Sequence, residues 1–162
     1  MVWYKATPYI FYFKGNNMSN SILLNQNKQN YDVFRSLVDG SITSIDIPFG
    51  TRLIRNSAFY YYTSLASVTI PNSVTSIEHN AFAFCPLASV TIPNSVTSIG
   101  DRVFYFCNPL ASVTVLNPTP PTLGTNVFYA TSTALVIYVP AESVSAYQTA
   151  WSAYSSKIQA IS

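Results

Sequence analysis

Charge is what this chain has least of. Eight Lys or Arg and six Asp or Glu among 162 residues leave 9% charged against 49% apolar, with a net charge of +2. The basic residues are scattered from Lys5 to Lys157 without a run, so the electrostatic footprint of a nucleic-acid binder is missing. The carboxylates Asp32, Asp39, Asp46, Glu78, Asp101 and Glu142 share no spacing that would pair two of them for acid–base work. Histidine is nearly absent. His79 is the single one, and it stands where other segments place Asn56 and Asp101, the pattern of a solvated turn residue. The two cysteines, Cys85 and Cys107, lack the His or carboxylate neighbours of a zinc site. No phosphate loop, dinucleotide fingerprint, nucleophile elbow or metal-binding helix motif occurs. These absences argue against an enzyme, and they leave no cofactor or metal to expect.

Repetition fills the chain instead. The string SVTIPNSVTSI occupies residues 67–77 and again 89–99, with fainter copies on both sides. Its prolines, Pro48, Pro71 and Pro93, lie 23 and 22 residues apart, and Leu116 stands where a fourth would fall. Six residues before each anchor come Ile42, Leu65, Leu87 and Leu110; three before, Ile45, Val68, Val90 and Val113; one before, Ile47, Ile70, Ile92 and Val115. Six after it come Ile54, Ile77 and Ile99, and eleven after it Phe59, Phe82, Phe104 and either Val127 or Phe128. These columns predict the core, and they place Phe59, Phe82 and Phe104 in it rather than on a stacking platform.

Within each copy, LxxVTIP alternates apolar and hydroxyl residues with the period of a strand that buries one face. Proline ends that strand by withholding a ladder donor. NSVTSI turns at Pro-Asn and forms a second short extended piece, and AFAFC or VFYFC returns the chain across the back. One copy is therefore one rung of a solenoid. A rung's handful of buried side chains cannot offset the ordering of its backbone, so stacking at ~4.8 Å must supply the rest.

The string L..VTIPNSVTSIG..AF..C resembles the BspA-like leucine-rich repeat, a 22–23-residue variant found in bacterial surface proteins, protist surface proteins and prophage products. The likeness covers about residues 42–128 and extends to PPTLGTNVF at 120–128, a final strand LVIYVP at 135–140 and the segment SVSAYQTAWSAYSSKIQAI. It implies a β-rich, right-handed superhelix of about four to five rungs. The expected organisation is an N-terminal arm (1–29), a cap helix (30–41), the leucine-rich-repeat solenoid (42–140) and a C-terminal cap (141–162). Asn30 serves as N-cap to a helix over residues 31–39, with Tyr31, Phe34, Leu37 and Val38 at helical spacing and Gly40 as terminator. Val144, Tyr147, Trp151 and Tyr154 mark an amphipathic capping helix at the far end.

With Val68 and Ile70 inward, the outward columns read Ser44, Ser67, Ser89, Ser112 and Asp46, Thr69, Thr91, Thr114, with Val136 and Tyr138 in the last rung. Ser67, Thr69, Ser89, Thr91, Ser112, Thr114 and Tyr138 form the candidate contact face. Its hydroxyls also suit an ordinary solvated strand, and ice binding is disfavoured because only about four rungs carry the ladder. The resemblance implies binding to a protein or cell-surface macromolecule, with an extracellular, cell-surface or virion setting. The leading expectation is a non-catalytic interaction or adhesion module; the alternative is a structural subunit of a phage tail or fibre without a ligand of its own. No nucleic acid and no membrane insertion is expected. Cys85 and Cys107, 22 residues apart, should stack on adjacent rungs below Tyr62 as reduced, buried thiols, although adjacent rungs also come within disulfide range.

The N-terminus stands apart from the repeat. Residues 1–18 do not read as a secretory signal, and their longest apolar run, residues 9–13, is too short to span a bilayer. Lys14-Gly15 must be encoded by AAA or AAG followed by GGN, which sets AAGG shortly before the Met18 codon like a ribosome-binding site. One expectation is therefore that translation naturally starts at Met18. The rival is that the aromatic arm bearing Trp3, Tyr4, Tyr9, Phe11, Tyr12 and Phe13 docks on a partner.

Overall fold

The computed structural model describes residues 42–162 in full, together with the backbone of three strands before them. Those three are β1 (Ile10–Tyr12), β2 (Ser21–Asn27) and β3 (Asn30–Val33). The repeats then contribute β4 (Ser44–Asp46), β5 (Thr51–Ile54), β6 (Ser67–Thr69), β7 (Ser76–Ile77), β8 (Ser89–Ile92) and β9 (Ser98–Ile99). Next come β10 (Ser112–Val115), β11 (Thr122–Leu123) and β12 (Val136–Val139), then helix α1 (Val144–Ala150) and β13 (Ile158–Ala160).

Each rung has three sides. The first carries the SVTI strands, where β8, β10, β12 and β13 pair in parallel and β4 pairs in parallel with β6. Alternation does what the sequence requires: Val90 and Ile92 are buried while Ser89 and Thr91 are exposed. Between β6 and β8 the sheet divides. At that step the chain is one residue short, since Cys85 and Leu87 enclose one residue where Tyr62 and Leu65, or Cys107 and Leu110, enclose two.

The second side is a parallel ladder of β5, β7, β9 and β11, continued by β3, β2 and β1 to seven strands. Here Gly100 and Gly124 are needed for close approach. A Cβ on Gly100 would lie 2.8 Å from the His79 amide nitrogen, and one on Gly124 would lie 2.5 Å from that of Asp101.

The third side is built from turns rather than strands. Alternate amides reach the next rung, Ser57, Phe59 and Tyr61 donating to the carbonyls of His79, Ala81 and Ala83, and the following rungs repeat the scheme. The intervening amides close turns onto their own rung, as Tyr60 N–H does to Ser57 O. Two residues per rung adopt positive φ, in one column Ser57, Asn80, Arg102 and Asn126 and in the other Tyr61, Phe84, Phe106 and Ala130.

All three sides enclose the predicted columns. Phe59, Phe82, Phe104 and Phe128 form a continuous stack with centroids 5.1, 5.7 and 5.7 Å apart and planes within 9°. Phe128 rather than Val127 thus completes the phenylalanine column, while Val127 takes the buried place before it. Cys85 and Cys107 are free, buried thiols whose Sγ–H groups donate to the carbonyls of Phe59 and Phe82 at 3.1 and 3.2 Å. Burial pushes the Cys107 thiol up to about 12 and raises Cys85 further, with Cys107 adding to that second shift.

The ends depart from expectation. The cap helix expected from Asn30 is not what residues 30–33 form, because β3 pairs antiparallel with β2 and parallel with β5. Asn-Tyr-Asp-Val also alternates with a period of two, and partners on both sides satisfy its backbone, which outweighs the helical spacing of a few apolar residues. The rest of that expected helix, residues 34–41, lies outside the described residues, as do most of residues 1–17. Of those, Ile10–Tyr12 pair as β1 with β2. At the other end the single expected helix is replaced by a 3-10 turn at Ala141–Ser143, the seven residues of α1, a second 3-10 segment at Ser152–Lys157, and β13. The helix breaks at Trp151, whose φ of −108° and ψ of 48° accompany an indole N–H bonded to Pro121 O at 2.9 Å. Tyr147 is fully buried and donates to Asn117 O at 2.6 Å, and burial raises its hydroxyl above the ordinary tyrosine range. Trp151 and Tyr154 both pack on Phe128, covering the open end of the phenylalanine stack.

Candidate interaction surfaces

The strand side brings the expected contact residues together in paired registers. Ser44 and Asp46 lie beside Ser67 and Thr69, while Ser89 and Thr91 lie beside Ser112 and Thr114, followed by Val136 and Tyr138. Ser67, Thr69, Ser89 and Thr91 are exposed; Ser112, Thr114 and Tyr138 are half-buried. Two features differ from a single flat ladder with an aromatic at its rim. The face divides between β6 and β8, and β13 sets Gln159 beside Tyr138, one strand farther out. The three residues of β13 carry no repeat anchor, so periodicity alone gave no sign of that strand.

The hydroxyls of this face contrast with those beside the second sheet. Among the described residues, Ser67, Thr69, Ser89, Thr91, Ser112 and Thr114 engage no hydrogen bond through their side chains. The threonines beside the second sheet do the opposite. Thr75, Thr97 and Thr122 donate Oγ1 to the carbonyls of Arg52, Thr75 and Thr97 at 3.1, 3.3 and 3.4 Å, each tying its rung to the one before. Ser95 Oγ likewise donates to Val74 O at 2.6 Å. One set of hydroxyls holds the stack, and the other is left to solvent or a partner.

The turn column containing His79 is a third such device. Asn56 Oδ1 accepts the His79 amide at 3.0 Å, His79 Nδ1 accepts the Asp101 amide at 3.1 Å, and Asp101 Oδ1 accepts the Thr125 amide at 2.7 Å. Each side chain thus caps an amide of the next rung. Asp101 Oδ2 lies 3.2 Å from the same Nδ1. The bonds from Thr125, first its amide and then its hydroxyl, hold the Asp101 carboxyl below its usual range. This is a ladder of side chains that ties each rung to the next.

Among the described residues no group of three or more His, Cys, Asp or Glu is placed to hold a metal ion, and no helix is long and apolar enough to cross a membrane. Sequence reasoning missed a row of surface aromatics on the third side. Tyr61 and Phe106 are 59% and 38% exposed, with Phe84 between them and Tyr105 and Tyr129 alongside. Apolar periodicity assigns such residues to the core. Positive φ at Tyr61, Phe84 and Phe106 is the local feature that sets this column apart from the buried phenylalanines, and no sequence pattern announces it.

Comparison with known proteins supplies the context. A family model for the BspA type leucine-rich repeat region matches residues 27–158 in six copies. A leucine-rich repeat protein from Bacteroides ovatus is 28% identical, with a TM-score of 0.55 over 62% of this chain and 26% of its own. The pneumococcal vaccine antigen PcpA shares the fold at 16% identity and a TM-score of 0.51, over 83% of this chain and 51% of its own. A leucine-rich cell surface protein from Faecalibacterium prausnitzii aligns at 24% identity and a TM-score of 0.49, over 65% of this chain and 37% of its own. The chain thus spans between about a quarter and a half of the length of these structures. No curated protein matches it.

Proposed function

The chain belongs to the BspA-type leucine-rich repeat family, and from that premise we propose that it is a non-catalytic recognition module that attaches to a protein or other macromolecule at a cell surface. The contact face in this reading is the strand side, with Ser67, Thr69, Ser89 and Thr91 at its exposed centre and Ser112, Thr114 and Tyr138 toward its C-terminal end. The observation that carries it is the contrast between hydroxyls. Those of Thr75, Thr97 and Thr122 are consumed by neighbouring rungs, whereas those of the strand face make no bond within the described residues. A strand face of unengaged hydroxyls with little charge favours a partner read by hydrogen bonds and shape rather than by charge.

The test is retention of fluorescently labelled protein on a panel of bacterial and epithelial cells. The reading expects saturable retention on at least one cell type and its loss in a Thr91→Lys/Tyr138→Glu variant with native circular dichroism. Undiminished retention by that variant would place the contact elsewhere.

A further inference from the structure

On the third side of the rung, away from the strand face, the aromatic column borders a groove. Tyr61, Phe84 and Phe106 form one wall, with centroids 5.3 and 5.2 Å apart along the stack. Thr63, Pro86, Asn108 and Pro109 form the other, and the open cleft between them has a volume of about 310 Å³. The groove is centred on the short rung. There Pro86 alone separates Cys85 from Leu87, so the wall is notched between Thr63 and Asn108.

We propose that this groove binds a proline-rich segment of a protein partner in the polyproline II conformation. Four observations point the same way. No charged side chain lines the groove, which suits a neutral ligand and disfavours acidic peptides, nucleic acids and anionic lipids. A polyproline II strand has no internal hydrogen bonds, so its carbonyls need donors from the surface they meet. Tyr61, Thr63 and Asn108 supply a phenol, a hydroxyl and an amide, none of which is bonded among the described residues.

Ring geometry separates this ligand from a glycan. Phe84 is flanked by Tyr61 on one side and by Phe106, stacked at 16°, on the other, so the column offers ridges and grooves rather than free faces. A sugar ring needs an open face, whereas a ridged aromatic groove is the surface proline-rich segments dock on. Length agrees as well. Three rungs span two spacings of ~4.8 Å, and one polyproline turn of three residues rises about 9 Å at ~3.1 Å each.

The experiment uses the full chain and two fluorescein-labelled peptides, one of repeated Ala-Pro-Pro units and one of Ala-Gly-Gly units, read by fluorescence anisotropy. Saturable binding of the first and none of the second is expected. Tyr61→Asn, which keeps a residue that tolerates positive φ, should weaken binding at least tenfold. Inserting an Asn between Cys85 and Pro86, which restores the spacing of Cys107-Asn108-Pro109-Leu110 and fills the notch, should do the same. Thr91→Lys on the strand face should leave peptide binding unchanged. If the insertion lowers Tm, Tyr61→Asn alone decides. The proposal is overturned by absent saturation up to millimolar protein, by equal binding of the glycine peptide, or by undiminished binding in Tyr61→Asn. Saturable binding of a labelled cello-oligosaccharide in place of the proline peptide would assign the groove to glycans and overturn it too.

Discussion

Replacing Phe82 with alanine probes the stack at its centre. The ring is fully buried and lies between Phe59 at 5.1 Å and Phe104 at 5.7 Å, both nearly parallel to it. Truncating a buried phenylalanine typically costs ~3–5 kcal/mol, and each lost aromatic contact is worth ~0.5–1.5 kcal/mol beyond area. Backbone bonds tie the Phe82 rung to both neighbours on the second and third sides and limit collapse into the gap, so the loss should fall within that range. At ~2–4 °C per kcal/mol for a domain of this size, Tm should drop by about 6–20 °C. Chemical denaturation gives the free energy directly, with an unchanged m-value showing that the unfolding reaction is the same. Ser67→Ala, on the exposed face, should cost under ~0.5 kcal/mol. Comparable losses for the two variants would mean that inward and outward columns are wrongly assigned.

Other expectations rest on different parts of the fold. Cys85 and Cys107 should react with thiol reagents only as fast as the protein opens, and a native preparation should show the fully reduced mass; rapid labelling or a mass two daltons lower would contradict this. Folding favours the protonated thiols, since their pKa values lie above the ~8.5 of an unfolded cysteine. Their contribution is therefore full below about pH 8.5 and declines as pH rises toward 12. A Cys85→Ala/Cys107→Ala variant should lose less stability than the wild type across that window; parallel curves would refute the linkage. Gly124→Ala should lower Tm clearly, because its Cβ would meet the Asp101 and Gly100 backbone at 2.5 Å; an unchanged Tm would mean that the rungs are farther apart.

Period explains what could be read from the sequence. The columns through Leu65, Ile77 and Phe82 were legible because each repeats at 22–23 residues and each residue's burial follows from its place in the rung. Where the period fails, legibility fails with it. Residues 30–33 show helical spacing locally, yet partners from β2 and β5 decide their conformation. The three residues of β13 have no anchor, and they gain strand structure only from the open edge of β12. Outward columns could be named in order, but not the break between β6 and β8, which coincides with a single missing residue in the return. The groove beside Tyr61, Phe84 and Phe106 was hidden for a related reason: the positive φ that marks that column is a backbone property that composition does not carry.

Photo-crosslinking tests the recognition face most directly. A benzophenone amino acid replaces Thr91 on the strand side in one sample and Thr97 beside the second sheet in another, and each is irradiated on the cells that retain the protein. The account predicts one discrete adduct from the Thr91 position and none from Thr97. An adduct from Thr97 alone, or no adduct at Thr91 on cells that retain the protein, would contradict it.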